Sequence, residues 1–99
     1  MGDIIYGDFE WDEAKARRNL SHHGVSFVEA TTLFDDPLFV LYKDEEHSSQ
    51  ESRYVIIGES NENRLLVVAY TRRERTRIIG ARKVTPRERR KYEESEKEF

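Results

Sequence analysis

Cysteine is absent from this chain, which excludes a disulfide framework and thiol catalysis. Its absence also fits a reducing compartment, so the expected localisation is cytoplasmic. No apolar run approaches the roughly 20 residues that a membrane-spanning helix needs, and the N-terminus shows neither the basic nor the apolar region of a signal peptide. Membrane contact is not expected. Met-Gly opens the sequence, but Tyr6 stands where a myristoylation signal needs Ser or Thr. Prolines number two and glycines five, and no repeat or low-complexity linker interrupts the 99 residues, which read as one domain over 1–99. A chain of this size buries roughly two-thirds of its unfolded surface, leaving one modest core and little room for a deep pocket.

Charge is what the sequence has in quantity, at 37% of residues, and it is unevenly spread. Between Arg72 and Lys91 ten bases face only Glu74 and Glu88, a local +8 in a chain of net −3, so the remaining residues carry −11. A uniformly acidic protein repels nucleic acid, whereas one that concentrates positive charge can hold a phosphate backbone locally.

Alternation near Asp3–Phe9 predicts a short strand. Asp12 can cap a helix over Glu13–His23 that Gly24 stops. Ser26 and Glu29 have capping-box spacing, with Val25 and Ala30 placed as a hydrophobic staple, and predict a second helix to about Phe34, ended by Asp35-Asp36-Pro37. Leu38–Tyr42, Arg53–Glu59, Arg64–Thr71 and Thr76–Val84 read as strands. The last three are joined by Ser60–Asn63 and Arg72–Arg75, links too short for parallel pairing, so they form an antiparallel meander. Thr85, Pro86 and Glu88 start a final helix over Pro86–Lys97, whose only apolar anchor is Tyr92; it docks loosely or on a partner. The class is α+β, in the order β-α-α-β-β-β-β-α.

Several residues can carry chemistry. Trp11, Lys15, Asn19 and His23 fall at helical spacing on one stripe, which is either a solvated face anchored by Trp11 or the lining of a cleft. His22 and His23 point about 100° apart on a helix and His47 is the only other histidine, so no metal site is expected. His23 is instead a candidate acid or base. Strict alternation along Thr76–Val84 puts Arg82 on the face of Ile78, half-buried, where it needs a protein carboxylate or a ligand phosphate. Arg53 raises the same question one strand away. Tyr70 is a core ring or a stacking surface. Part of the basic cluster can be taken up by Arg89–Glu93 and Arg90–Glu94 pairs along the last helix.

Phe9-Glu10-Trp11-Asp12-Glu13, then Lys15, Asn19 and His23-Gly24-Val25-Ser26-Phe27, resemble the N-terminal pattern of the BrnT toxins. Arg53–Gly58, Arg64–Thr71, Arg77–Lys83 and Glu88–Glu93 are similar to the rest of it, so the likeness spans about 9–93. His22 stands where that family usually has lysine, and Gly80 where serine is common. The resemblance implies a RelE-like fold and an endoribonuclease toxin of a type II toxin–antitoxin pair that cleaves cellular RNA and inhibits translation. It also implies a BrnA-like ribbon-helix-helix antitoxin, with operator DNA bound only through the toxin–antitoxin complex; homodimerisation is left open. With no metal cluster and no cofactor expected, the simplest chemistry turns the RNA 2′-hydroxyl on its own phosphodiester. Arg82, helped by Arg53 and Lys15, would hold the phosphate, and His23 would transfer the proton. Trp11 or Tyr70 would stack a base, and Arg72, Arg73, Arg75, Arg77 and Lys83 would position the strand. The alternative is a non-catalytic nucleic-acid or partner-binding module that serves promoter autoregulation with the antitoxin.

Overall fold

Gly7 decides how the chain begins. In the computed structural model, which describes residues 2–97, strand β1 (Asp3–Tyr6) turns through Gly7-Asp8 into β2 (Phe9–Asp12). Tyr6 lies opposite Phe9, and Gly7 has φ +60°, a conformation glycine adopts without steric cost in a two-residue hairpin turn. Where one strand over Asp3–Phe9 is expected, two form. Trp11 therefore belongs to β2, and the helical stripe begins at Lys15.

Helix α1 (Glu13–His23) has the predicted bounds. The Asp12 carboxylate accepts from the Lys15 amide at 2.9 Å, and Gly24, left-handed at φ 68°, donates its N–H to the Leu20 carbonyl. Helix α2 (Phe27–Thr31) is shorter than expected and passes into a 3-10 turn over Thr32–Asp35. Its capping box is only half made. The Ser26 hydroxyl accepts from the Glu29 amide at 3.0 Å, but the Glu29 carboxylate turns inward to a side-chain partner, Arg64, and to the Ser60 hydroxyl.

Strand β3 (Val40–Lys43) pairs antiparallel with β4 (Arg53–Glu59), which forms the expected antiparallel meander with β5 (Leu65–Arg72) and β6 (Thr76–Lys83); helix α3 (Pro86–Lys97) follows. The six-stranded sheet has the order β1-β2-β6-β5-β4-β3. The protein is a mixed α+β fold, with observed order β-β-α-α-β-β-β-β-α. The N-terminal hairpin joins through β2, parallel to β6, over only two pairs, Phe9 with Thr76 and Glu10 with Arg77. Among the described residues no strand lies beside the outer edge of β6 beyond Arg77.

Each face of the sheet carries a core. Phe27, Ala30 and Leu33 pack with Trp11, Ile56, Val68 and Ile78 on one face. Val55, Ile57 and Val67 pack with Tyr92 of α3 on the other. Tyr92 is 8% exposed and its hydroxyl donates to Asp36 at 2.7 Å, so the polar last helix is docked on its own sheet. Its predicted Arg89–Glu93 and Arg90–Glu94 pairs do not close; Lys91 lies over the Tyr42 ring instead. Among the described residues no helix is long and apolar enough to cross a membrane.

One irregularity in β6 corrects the predicted face of Arg82. Tyr70 pairs with Ile78 but Ala69 pairs with Gly80, so Ile79 is an extra residue, a bulge that inverts the alternation downstream. Arg82 lies opposite Val67, on the α3 face and away from Ile78.

Candidate active site

The unpartnered edge of β6 would leave backbone groups without hydrogen bonds. Asn19 of α1 supplies them. Its Oδ1 accepts from the Ala81 amide at 3.1 Å, and its Nδ2 donates to the Ala81 carbonyl at 2.8 Å and the Val25 carbonyl at 2.9 Å. A side-chain amide thus replaces a strand, and it fixes the stripe Lys15–Asn19–His23 along the sheet edge.

A cleft of about 410 Å³ opens there. Val55, Val67, Ala69, Gly80 and Arg82 line its floor, Asn19 and His23 one wall, and Tyr42, Asp44, Glu46 and His47 the other. A second groove of about 240 Å³ shares Asn19 and His23 and adds Lys15, Arg18, His22 and Ile79. No carboxylate lines this groove. The stripe therefore does line a cleft, and Lys15, His23 and Arg82 are brought to two adjoining depressions. A Cβ on Gly80 would meet Asn19 Oδ1 at 3.8 Å, an ordinary contact, so a serine would fit without strain.

Arg82 is held rather than free. Its Nη1 and Nη2 donate to Glu88 Oε1 and Oε2, each at 2.8 Å, and Nη1 also reaches the Lys83 carbonyl at 3.2 Å. This fork pushes the Glu88 carboxyl down to about 2, helped by the Thr85 backbone N–H, and raises the Arg82 guanidinium against the cost of its partial burial. The internal ion pair foreseen as one alternative is thus real. It occupies the end of the guanidinium only. Among the described residues the Nε–Nη2 edge keeps two N–H donors without a partner, on a side chain that is 42% exposed, which is the geometry of a second, side-on fork for an oxyanion.

The other candidates are dispersed: Arg72, Arg73, Arg75, Arg77 and Lys83, expected to position the RNA strand, do not line the cleft with Arg82. Arg77 is bound by Asp3 and Glu10, at 2.9 and 2.7 Å, and Arg73 by Glu51 at 2.9 Å. Arg72 lies in a different depression with Asp8, Asp35 and Glu74. Arg53, opposite Thr71 on β4, Arg75 and Lys83 line neither groove. Trp11 and Tyr70 are each 5% exposed. Trp11 packs against Tyr6 and edge-on to Phe27, Tyr70 against Tyr54 and Phe34. Both rings are core, with no face open to a base. From sequence His47 is read only as a possible metal ligand, and Tyr42 and Asp44 are not singled out; all three lie in or beside a loop whose course no strand or helix period dictates, and the Asp-x-x-His spacing of a local turn is the available signal. Among the described residues no three His, Asp or Glu converge in a metal-ligand set.

Fold and cleft together define the class: a small mixed α+β protein with an arginine- and histidine-lined cleft at the exposed edge of its sheet. The chain belongs to the family described as ribonuclease toxin, BrnT, of type II toxin–antitoxin systems, whose sequence profile matches residues 11–88. The crystal structure of the Brucella abortus ribonuclease toxin BrnT, at 1.1 Å resolution, shares the fold with a TM-score of 0.60 at 22% identity. The match covers 76% of this chain and 92% of that one. No curated protein sequence matches the chain.

Proposed function

We propose that this ribonuclease toxin is a metal-independent endoribonuclease whose chemistry takes place between His23 and Arg82. The observation that carries it is the wall shared by the two depressions. His23 and Asn19 border both the cleft with Arg82 and the carboxylate-free groove with Lys15 and Arg18. An RNA strand lying along α1 meets cations first and delivers a phosphodiester to the open edge of Arg82. There the 2′-hydroxyl attacks phosphorus, the P–O5′ bond breaks, and a 2′,3′-cyclic phosphate and a 5′-hydroxyl result. Arg82 stabilises the charge that builds on the non-bridging oxygens, and His23 transfers a proton. Arg53 has no part in this site. The reading is tested by incubating the protein with RNA in EDTA. Wild type cleaves, and His23→Ala and Arg82→Ala each lower the rate by about a hundredfold or more. Retarded but intact RNA would favour the non-catalytic binding module. A BrnA-like antitoxin is proposed as the partner. The check is an adjoining reading frame with a ribbon-helix-helix pattern whose product co-purifies with the toxin and blocks cleavage.

A further inference from the structure

We propose that His47, oriented by Asp44, is the second proton-transfer group of this cleft, working across the phosphodiester from His23. The inference rests on the reading of the cleft as the RNA-cleaving site. In-line attack puts the entering O2′ and the leaving O5′ on opposite sides of phosphorus, so a single imidazole on one wall cannot serve both oxygens in one step. His47 lies on the opposite wall. His23 ends α1 beside the β6 edge and His47 follows β3, and in the sheet β6 and β3 are three strand spacings apart, roughly 14 Å, so the two rings border the cleft from opposite ends of its floor.

The pair is built into the fold. His47 Nδ1 is 2.9 Å from Asp44 Oδ2. A carboxylate only accepts, so Nδ1 carries the proton and Nε2 is left for substrate. Asp44 Oδ1 also receives the His47 amide at 3.4 Å. The Asp44 amide donates to the Arg53 carbonyl at 2.8 Å, continuing the β3–β4 ladder. The Ser48 hydroxyl bonds the Asp44 carbonyl and accepts from the Arg53 amide at 2.9 Å, pinning the loop to the start of β4. The titratable and charged groups that line the cleft with His47 are Asp44 and Glu46 from its own loop, Tyr42 from β3, His23 from α1 and Arg82 from β6. In the step itself, one imidazole takes the 2′-hydroxyl proton as P–O2′ forms. The other, protonated, gives its proton to O5′ as P–O5′ breaks. No net proton is gained or lost, and exchange with solvent restores both rings.

The test compares His47→Ala, His47→Gln and His23→Ala on a defined RNA oligomer and on its analogue with sulfur at the scissile 5′ bridge, whose thiolate leaves without a proton. Glutamine at 47 can still donate to Asp44 and close the turn, but it cannot transfer a proton. The expected result is a loss of about a hundredfold in both His47 variants with unchanged melting temperature, and rescue of one of the two histidine positions, not both, by the sulfur substrate. Activity of His47→Gln within about threefold of wild type, with His23→Ala inactive, would overturn the inference and leave the cleft in place. Full activity in His23→Ala, His47→Ala and Arg82→Ala alike would overturn the cleft reading itself.

Discussion

Two arginine–carboxylate pairs, alike on paper, do different work because their solvent exposure differs. Glu29 is 3% exposed as a residue and receives Arg64 Nε at 2.9 Å and the Ser60 hydroxyl at 2.7 Å. Arg64 holds its carboxyl below the ordinary range and also reaches the Gly24 carbonyl at 3.1 Å, tying α1, α2 and the β4–β5 turn together. Glu29→Ala removes the buried acceptor that Arg64 and the Ser60 hydroxyl share, so it should cost about 1–3 kcal/mol, which thermal unfolding reads as a fall of roughly 5–20 °C. Both members of the Arg82–Glu88 pair are more open, at 42% and 17% against 32% and 2% for Arg64 and Glu29, and pairs that open to water contribute little. Arg82→Ala should therefore lower stability by no more than about 1 kcal/mol while removing RNA cleavage. A loss of stability as large as that of Glu29→Ala would mean that Arg82 is structural.

At the scale of elements, two attachments shape the cleft. Asn19 joins α1 to the β6 edge, and Asn19→Ala leaves the Ala81 N–H and C=O without that partner. The cost should be about 1–3 kcal/mol, with cleavage impaired although no catalytic group has been touched; denaturant unfolding alongside single-turnover kinetics checks both. Glu88 joins α3 to β6 while closing the capping box, its Oε1 accepting from the Thr85 amide at 2.8 Å. With a folded value of about 2 against 4.5 for an unperturbed glutamate, this carboxylate contributes stability that is complete above pH 4.5 and fades as pH falls toward 2. Glu88→Gln should flatten the decline in stability between pH 5 and pH 2 relative to wild type; an unchanged slope would show that the pair is not coupled to folding. Caps and turn residues made most elements legible: Asp12 and Gly24 bound α1, Thr85 and Pro86 start α3, and Ser60–Asn63 joins β4 to β5. The hairpin at Gly7 and the bulge at Ile79 were not legible from a strand pattern of period two, because each is a single-residue decision set by pairing with a distant strand. The site was readable along α1, where spacing alone aligns Lys15, Asn19 and His23. It was not readable where a loop folds back, as at Asp44 and His47.

For the molecule as a whole, the excess of positive charge over Arg72–Lys91 proves to be a poor guide to where a polyanion lies. Arg73 and Arg77 meet carboxylates from outside that stretch, Glu51, Asp3 and Glu10, so part of the local +8 is offset in space, while Arg82 is held by Glu88 within it. The groove along α1, with Lys15 and Arg18, is lined by no carboxylate, although residues 1–36 are acidic when counted by sequence. Charge read along the chain and charge read across the fold thus give different answers, and only the second has a cleft beside it. The account is tested most directly by the ends that the enzyme leaves. An oligodeoxynucleotide carrying one ribonucleotide, incubated with the protein in EDTA, should be cut 3′ of that ribose alone, giving a 2′,3′-cyclic phosphate and a 5′-hydroxyl. Cutting of the all-DNA control, or products bearing a 5′-phosphate and a 3′-hydroxyl, would contradict attack by the 2′-hydroxyl between His23 and Arg82.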